Sequence, residues 1–434
     1  MTNYLRLLAT WYRLKTFQYR KIEDIKRYQL KRFKELCQHA YKHIPIYREL
    51  YDSYDFNPSS VYVYDDIERV PVITKEIIRS FPLKKKVDSR VTEREVLKEP
   101  TSGSTGEPLE VWTGRTESLI QSMKCIRFLR EWGYSIFDNT VQISIFDNTV
   151  QDERIVSKPK VSLIQKLGLY KRKYISVLYN SDTIVDKLSI NRSDVLYSSR
   201  SSLEVLADGL EKRGVTINPR ILVAGMEIVT EEHRQLFKNI FGCDTLEIYG
   251  CIEVGNIAWE CPNVSRSHNL HIDMETAVVN FHKIQTREDG SRVGSIIVTN
   301  LENYVMPFIR YDLGDQVLFP SNNECTCGRT LQVLGKVLGR NDDVLEYKGR
   351  KFNWHFFYNY FKDYSYIKKY KVVQNKNGDI EFRVQLLNDT KEFRRRCLLD
   401  LNSAFGKYFS LVKVKFFKVF SLTSGGKFKV IEKM

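Results

Sequence analysis

Five short segments of this 434-residue chain combine residue types that can hold phosphate, metal or sugar. The first runs Thr101, Ser102, Gly103, Ser104, Thr105, Gly106 and on into Glu107-Pro108. Two glycines among hydroxyl residues make a loop dense in N–H and O–H donors, able to wrap the oxygens of a polyphosphate. It is not a Walker loop, because no Gly-Lys-Ser/Thr follows. In the second segment a strand-like run ends in Tyr249-Gly250, and Glu253 follows four residues after the tyrosine. An aromatic ring and a carboxylate at the C-terminal edge of a strand suit a nucleotide and its Mg²⁺, since open α/β sheets bind ligands there. The third is Arg310-Tyr-Asp-Leu-Gly-Asp315, where a carboxylate after a glycine turn can accept hydrogen bonds from vicinal ribose hydroxyls. The fourth, Gly339-Arg340-Asn-Asp342-Asp343, sits where the composition changes. The fifth is Thr423-Ser-Gly-Gly-Lys427, a lysine on a glycine-rich loop that can reach into a cleft as a point charge. Taken singly, each has an ordinary reading: a surface turn, a core tyrosine with a solvated acid, a turn carboxylate, a linker, a tail lysine.

A second kind of chemistry lies in the soft ligands. Cys325-Thr-Cys327-Gly is a tight pair on a turn, and Cys261 lies upstream, followed by His268 and His271. Such donors could complete a tetrahedral Zn²⁺ site, with His271 preferred to His268 as the fourth ligand; with four protein ligands it would be closed and structural. The alternative is reduced turn cysteines beside unrelated histidines. Cys37, Cys125, Cys243 and Cys397 show no ligand spacing, and His39 and His43, four apart on a basic helix, read as a polar face.

The elements that must position these residues follow from periodicity. Residues 1–80 read as helical and basic. From Tyr19 to Tyr41 apolar residues recur at helical spacing with Lys and Arg between them, up to the break near Pro45. A helix of that kind can lie on an anionic membrane or, the preferred reading, pack on its own domain. Residues 90–320 alternate strand-like runs, such as Ile221 to Ala224, Thr245 to Tyr249 and Ser295 to Asn300, with helix-length segments, which predicts βαβ units and a mixed or parallel sheet. Ser135 to Gln142 recurs as Ser144 to Gln151, a tandem copy that lengthens a loop or strand edge and is assigned no chemistry. From residue 344 the chain turns basic and rich in aromatic and β-branched residues, the pattern of a small α+β domain.

The net charge of +15 first suggests a polyanionic partner. Its distribution argues otherwise: residues 1–50 and 344–434 are strongly basic, while 51–343 carry more acid than base. No zinc-finger, RNA-recognition or helix-turn-helix signature is present, so no nucleic-acid partner is expected. No apolar run approaches the ~18 residues of a spanning helix, and no signal peptide is read. The cysteine spacing is not that of a disulfide framework, which favours a reducing, cytoplasmic setting.

In this order and spacing the five segments resemble those of the adenylate-forming superfamily of acyl-CoA synthetases and nonribosomal adenylation domains. The branch most similar is phenylacetate–coenzyme A ligase and its relatives encoded with capsular-polysaccharide genes. The resemblance covers most of the chain, from His43-Ile-Pro-Ile-Tyr47 through Val70-Pro-Val-Ile-Thr-Lys75 to the Lys427 loop. It implies an α/β fold: a large N-terminal mixed-sheet domain with a small hinged α+β C-terminal domain. Residues 1–80 would be a helical segment packed on the large domain, 81–340 the adenylation domain, and 344–434 the mobile domain.

The resemblance also implies roles. Thr101 to Gly106 would hold the β- and γ-phosphates of ATP, and Gly225 and Glu227 would line the adenine pocket, flanked by Tyr249. Glu253 would bind Mg²⁺, and Asp315 would hold the ribose with Arg340 nearby. Asp342 or Asp343 would be the hinge and Lys427 the catalytic lysine. The branch carries similar Cys and Cys-x-Cys-Gly-Arg segments, which implies the zinc set Cys261, His271, Cys325 and Cys327. The implied activity is ATP-dependent activation of a small carboxylic acid, with transfer to coenzyme A or to an amine on a sugar or surface-polysaccharide precursor. Glu107-Pro-Leu-Glu110 stands where many members have a lysine, Cys251 where Ser, Thr or Met is usual, and Gly349-Arg-Lys-Phe-Asn-Trp354 keeps only the glycine of its pattern. A competing reading is a non-catalytic scaffold docked on a membrane-associated glycan machine, with the protein peripheral at the inner membrane surface. It predicts a decayed nucleotide site, whereas the residues above are intact.

Overall fold

The computed structural model describes residues 2–101, 109–144, 168–177, 179–263, 270–287, 289–320, 325–340, 344–361, 363–420 and 428–434. The chain divides into two compact units. The first holds Met1–Leu313 and Val317–Val337; the second holds Gly314–Gln316 and Leu338–Met434.

The first unit opens with three helices, α1 (Thr2–Phe17), α2 (Ile22–His43) and α3 (Pro45–Ser53). α2 turns Ile25, Phe33, Leu36, Cys37 and Ala40 inward, so the basic helix read from the sequence packs on its own unit. It stops because Ile44, ahead of Pro45, is extended. The short helices α4 (Lys75–Ser80) and α5 (Leu83–Lys86) lead to a hairpin of β1 (Val96–Pro100) and β2 (Glu110–Gly114), and then to α6 (Arg115–Glu131).

The central sheet follows. Its strands are β3 (Thr140–Ser144), β4 (Arg172–Ser176), β5 (Val195–Ser199), β6 (Ile221–Gly225), β7 (Thr245–Cys251), β8 (Gly255–Glu260) and β9 (Leu270–Ile272). Between them run α7 (Ser181–Ser189), α8 (Arg200–Arg213) and α9 (Glu231–Phe241). β6, Ile-Leu-Val-Ala-Gly, is buried along its whole length, as a parallel strand covered on both faces must be. Each helix starts on a cap: the Ser199 hydroxyl accepts from Ser202 N at 3.3 Å and Thr230 from His233 N at 3.5 Å. α8 and α9 end on Gly214 and Gly242, both left-handed.

A second sheet is built on β10 (Ala277–Thr286), β11 (Arg292–Asn300) and β12 (Tyr311–Leu318). The chain then forms β13 (Val333–Leu334) and β14 (Val337–Arg340). β13 completes the central sheet, whose order is β13-β9-β8-β7-β6-β5-β3-β4. β4, β3, β5, β6 and β7 are parallel; β7, β8, β9 and β13 pair antiparallel, so the sheet is mixed. The first copy of the tandem repeat forms the turn into β3 and most of β3 itself, while most of the second lies outside the described residues.

The second unit contains the hairpin β15 (Val344–Tyr347)–β16 (Arg350–Asn353), then α10 (Trp354–Phe361), β17 (Ile367–Gln374), β18 (Ile380–Leu386), α11 (Lys391–Phe405), β19 (Lys413–Phe416) and β20 (Ile431–Lys433). Its four-stranded sheet has the order β19-β18-β17-β20. The core is strongly aromatic, with Phe352, Phe357, Phe361, Phe382, Phe405 and Phe409 all buried.

The residues 273–276 that join β9 to β10, and hence one sheet to the other, contain two fully buried carboxylates. Asp273 and Glu275 both pair with Arg127 of α6, and Lys124 lies 3.3 Å from Asp273. Burial pushes the Glu275 carboxyl up and Arg127 pulls it back, with burial the larger effect. Removing one partner of such a set strands a buried charge, so Arg127→Met should lower stability by about 3–5 kcal/mol in urea unfolding. A loss within about 1 kcal/mol, typical of an exposed pair, would show that the cluster does not hold the join.

Candidate active site and metal centre

Parallel strands β5, β6 and β7 end side by side, Ser199 opposite Gly225 and Gly225 opposite Ile248. Their C-terminal ends therefore put Gly225, Tyr249 and Gly250 on one sheet edge, where α/β sheets take ligands. After Gly225, Met226 is held left-handed at φ 67°, a strained setting for that side chain. Glu227 does not project freely from this turn. Its carboxylate accepts from Ser201 N at 2.8 Å and Ser201 Oγ at 2.6 Å, with Arg200 at 3.3 Å. It fixes the Gly225–Glu227 turn to the first turn of α8.

Glu253 lies in the tight connection between β7 and β8. Gly250 allows that hairpin to close, since a Cβ there would meet Gly255 O at 2.5 Å. The Glu253 side chain is buried and accepts a hydrogen bond from the Tyr311 hydroxyl at 3.3 Å. Tyr311 begins β12 and pairs with Ile73 through Ile73 N to Arg310 O (3.1 Å) and Asp312 N to Ile73 O (3.0 Å). The Val70-to-Lys75 segment is thereby tied to the Arg310-to-Asp315 segment. A carboxylate of this kind is a hard oxygen donor suited to Mg²⁺. Tyr311 is a site residue the motif reading passed over, although it stands inside the quoted motif.

The ends of the hydroxyl loop are clamped. Thr101 N donates to Leu109 O at 2.9 Å, and Leu109 N donates to Thr101 Oγ1 at 2.9 Å. Thr101 is therefore engaged in closing the loop through its side chain. In the second unit, Asp315 follows Gly314 (φ 73°), and Arg340 Nε stands 3.7 Å from its carboxylate. Ser102, Gly103, Ser104, Thr105, Gly106, His268, Asp342, Asp343 and Lys427 lie outside the described residues.

The soft-ligand cluster lies within the first unit. Ligand atoms of Cys261, His271, Cys325 and Cys327 all lie within 4.8 Å of one another, and His271 Nε2 is 3.3 Å from Cys327 Sγ. Burial, reinforced by the charge of Arg329, lowers His271 to about 4, so its imidazole is neutral and able to ligate at pH 7. Burial pushes Cys261 up to about 12. At Cys327 burial also acts upward, but bonds from the Arg329 backbone N–H and guanidinium, among others, bring the thiol below its ordinary value. Three thiols and a neutral imidazole this close together could hold a metal ion; a four-ligand set of this kind suits Zn²⁺, which would replace the thiol protons. Arg329, the arginine of the Cys-x-Cys-Gly-Arg segment and given no role in the sequence reading, reaches Cys261 Sγ at 3.7 Å and pairs with Glu131 of α6.

No protein-family model matches the chain. It is similar to the phenylacetate–coenzyme A ligase of Thermus thermophilus, 24% identical over 351 residues, or 75% of this chain and 73% of that one. It is also similar to the protein CapK of Staphylococcus aureus, 20% identical over 337 residues, or 75% and 70%. Among solved structures, 2-hydroxyisobutyryl-CoA ligase in the postadenylation state in complex with R3-HIB-AMP superposes with a TM-score of 0.75 at 17% identity, covering 96% of this chain and 91% of that one. The same ligase with 2-HIB-AMP and CoA in the thioesterification state gives 0.64.

The fold is that of the adenylate-forming ligases, with a large N-terminal and a smaller C-terminal domain. In sequence the chain is distantly similar to the phenylacetate–coenzyme A ligases and to CapK. Among the described residues no helix is long and apolar enough to cross a membrane.

The donor set generates a direct expectation. Purified protein should contain about one zinc per chain, and Cys327→Ser should lower both metal content and melting temperature. Well under one zinc per chain, with no effect of a chelator on the melt, would remove the site.

Proposed function

We propose that the protein activates a small carboxylic acid with ATP and passes the acyl group to coenzyme A. The observation that carries this reading is the near full-length likeness to an acyl-CoA ligase solved with an acyl-adenylate. The intact motif residues Thr101 to Gly106, Glu253, Asp315, Arg340 and Lys427 support it.

In the first half-reaction a carboxylate oxygen of the acid attacks the α-phosphorus of ATP. The new P–O bond makes an acyl–phosphate mixed anhydride, and the bond from the α-phosphorus to the α,β-bridging oxygen breaks, releasing pyrophosphate. Every reactant is anionic, so the barrier falls only where cations and donors meet the developing charge. Glu253, oriented by Tyr311, would hold Mg²⁺, which supplies positive charge for the phosphates. The hydroxyl loop, clamped at Thr101, would donate to the leaving pyrophosphate. Asp315 would accept from the ribose hydroxyls, with Arg340 beside it. The Gly225 edge would leave room for the adenine, with Tyr249 as its flank and Glu227 as the residue that positions the turn. Lys427 would bridge the carboxylate and α-phosphate and hold them for in-line attack.

In the second half-reaction the coenzyme A thiol gives its proton to solvent, its sulfur forms a bond to the acyl carbon, and the acyl C–O bond breaks so that AMP leaves with that oxygen. An amine on a sugar or surface-polysaccharide precursor is the competing acceptor. The altered Gly349-to-Trp354 segment is the observation behind that second acceptor. The zinc set would be structural and take no part in either step.

Pyrophosphate exchange across aromatic, aliphatic and amino acids identifies the substrate. With that acid, Lys427→Ala should lower adenylate formation by about 100-fold or more, as expected for a group acting on the transition state, while ATP binding stays within about two-fold. Undiminished pyrophosphate release by that variant would contradict the assignment.

A further inference from the structure

The basic N-terminal region contains two helices, and their outer faces differ. α2 spends its apolar residues on the core. α1 does not. Its sequence carries Arg6, Arg13 and Lys15 and no acid. It buries Leu14 and Phe17, and it turns Arg13 inward to the Tyr28 hydroxyl at 2.7 Å and to Glu302 at 3.4 Å. The opposite face should then be polar, as on an ordinary surface helix. Instead Leu8 is 65% exposed and Tyr12, one turn on, is 69% exposed. Lys15 continues the same face, and Tyr19, Arg20 and Lys21 follow it, all exposed. Beside them Arg20, Arg27 and Lys31 line a shallow depression with Tyr28, where Asp24 is the one acid and pairs with Arg27 at 2.7 Å.

We infer that the outer face of α1, with the adjoining Lys15, Arg20, Lys21, Arg27 and Lys31, docks on an anionic phospholipid surface. An interfacial helix presents this composition: leucine and aromatic side chains on one side, cations around them, no acids within the helix. Leu8 and Tyr12 would enter the boundary between headgroups and acyl chains, and the cations would meet lipid phosphates. A second copy of the chain fits the face poorly, because two such cationic surfaces would repel. Two apolar side chains are also too little for the core of a protein interface, which takes about 800 Å² per partner. They suffice for shallow, reversible insertion that needs electrostatic help. The inference is independent of the reaction proposed above, and its test requires no catalysis.

The full-length protein is floated with vesicles of phosphatidylcholine alone and with phosphatidylglycerol added. It should float only with phosphatidylglycerol vesicles, less as salt rises. Leu8→Ser/Tyr12→Ser and, separately, Lys15→Glu/Lys21→Glu should each weaken binding by about ten-fold or more. These side chains are exposed, so both variants should melt with the parent protein; the two together keep the test valid if one does not. Absence of flotation, equal binding to neutral vesicles, or binding unchanged in both variants would overturn the inference. So would concentration-dependent self-association abolished by Leu8→Ser/Tyr12→Ser without vesicle binding, which would assign the face to a second copy.

Discussion

The first unit depends on one polar face of α6. Gln121, Lys124, Arg127 and Glu131 follow one another at three- and four-residue spacing, and between them they grip three pieces of the unit. Gln121 bonds to Val254 O at 3.4 Å and accepts from Asn256 N at 3.3 Å, and Lys124 donates to Asn256 O at 2.6 Å. Those contacts hold the β7–β8 connection that carries Glu253. Arg127 binds Asp273 and Glu275 where one sheet passes into the other. Glu131 binds Arg329 beside the thiols. Trp259, fully buried, is approached by both the Arg127 and Arg329 guanidiniums, 5.5 and 5.4 Å from its ring centroid. Charges this deep are costly unless all are matched, so the set adds less to stability than to uniqueness of arrangement. A helix, a hairpin, a sheet junction and a thiol cluster are thereby fixed together before any ligand is considered.

Much of this was legible in the residues. A buried parallel strand must be apolar on both faces, and Ile221 to Ala224 is. A strand followed by a helix needs a cap and a left-handed stop, and Ser199 and Gly214 supply them. The sites at strand ends were visible because Tyr249, Gly250 and Glu253 combine chemistry with turn geometry over a few positions. The soft-ligand reading could name Cys261, His271, Cys325 and Cys327 because Cys325-Thr-Cys327 is a tight pair and the resemblance implied the rest of the set. The α6 face was hidden for the opposite reason. Gln, Lys, Arg and Glu at helical spacing look like a solvated helix, and Arg127 and Glu275 stand 148 positions apart. Glu227 illustrates a finer limit: its place in the motif was recognisable, but its engagement with Ser201 depends on how β6 and α8 meet.

The charge distribution gains a physical reading from the proposed reaction. ATP and a carboxylate are both anionic, and Mg²⁺ and Lys427, in the basic C-terminal stretch, would supply the positive charge they need. The basic α1–α2 region has no part in that balance. Its exposed Leu8 and Tyr12 lie among cations, which gives the N-terminal excess a different outlet.

In the proposed reaction the chain splits ATP between the α- and β-phosphates on behalf of a carboxylate. The nucleotide product measures it most directly. With the acid found by exchange, quenched reactions resolved by mass spectrometry should contain acyl-AMP and pyrophosphate, and AMP once the acceptor is supplied. Formation of ADP and inorganic phosphate instead would place the cleavage at the γ-phosphate and contradict the account.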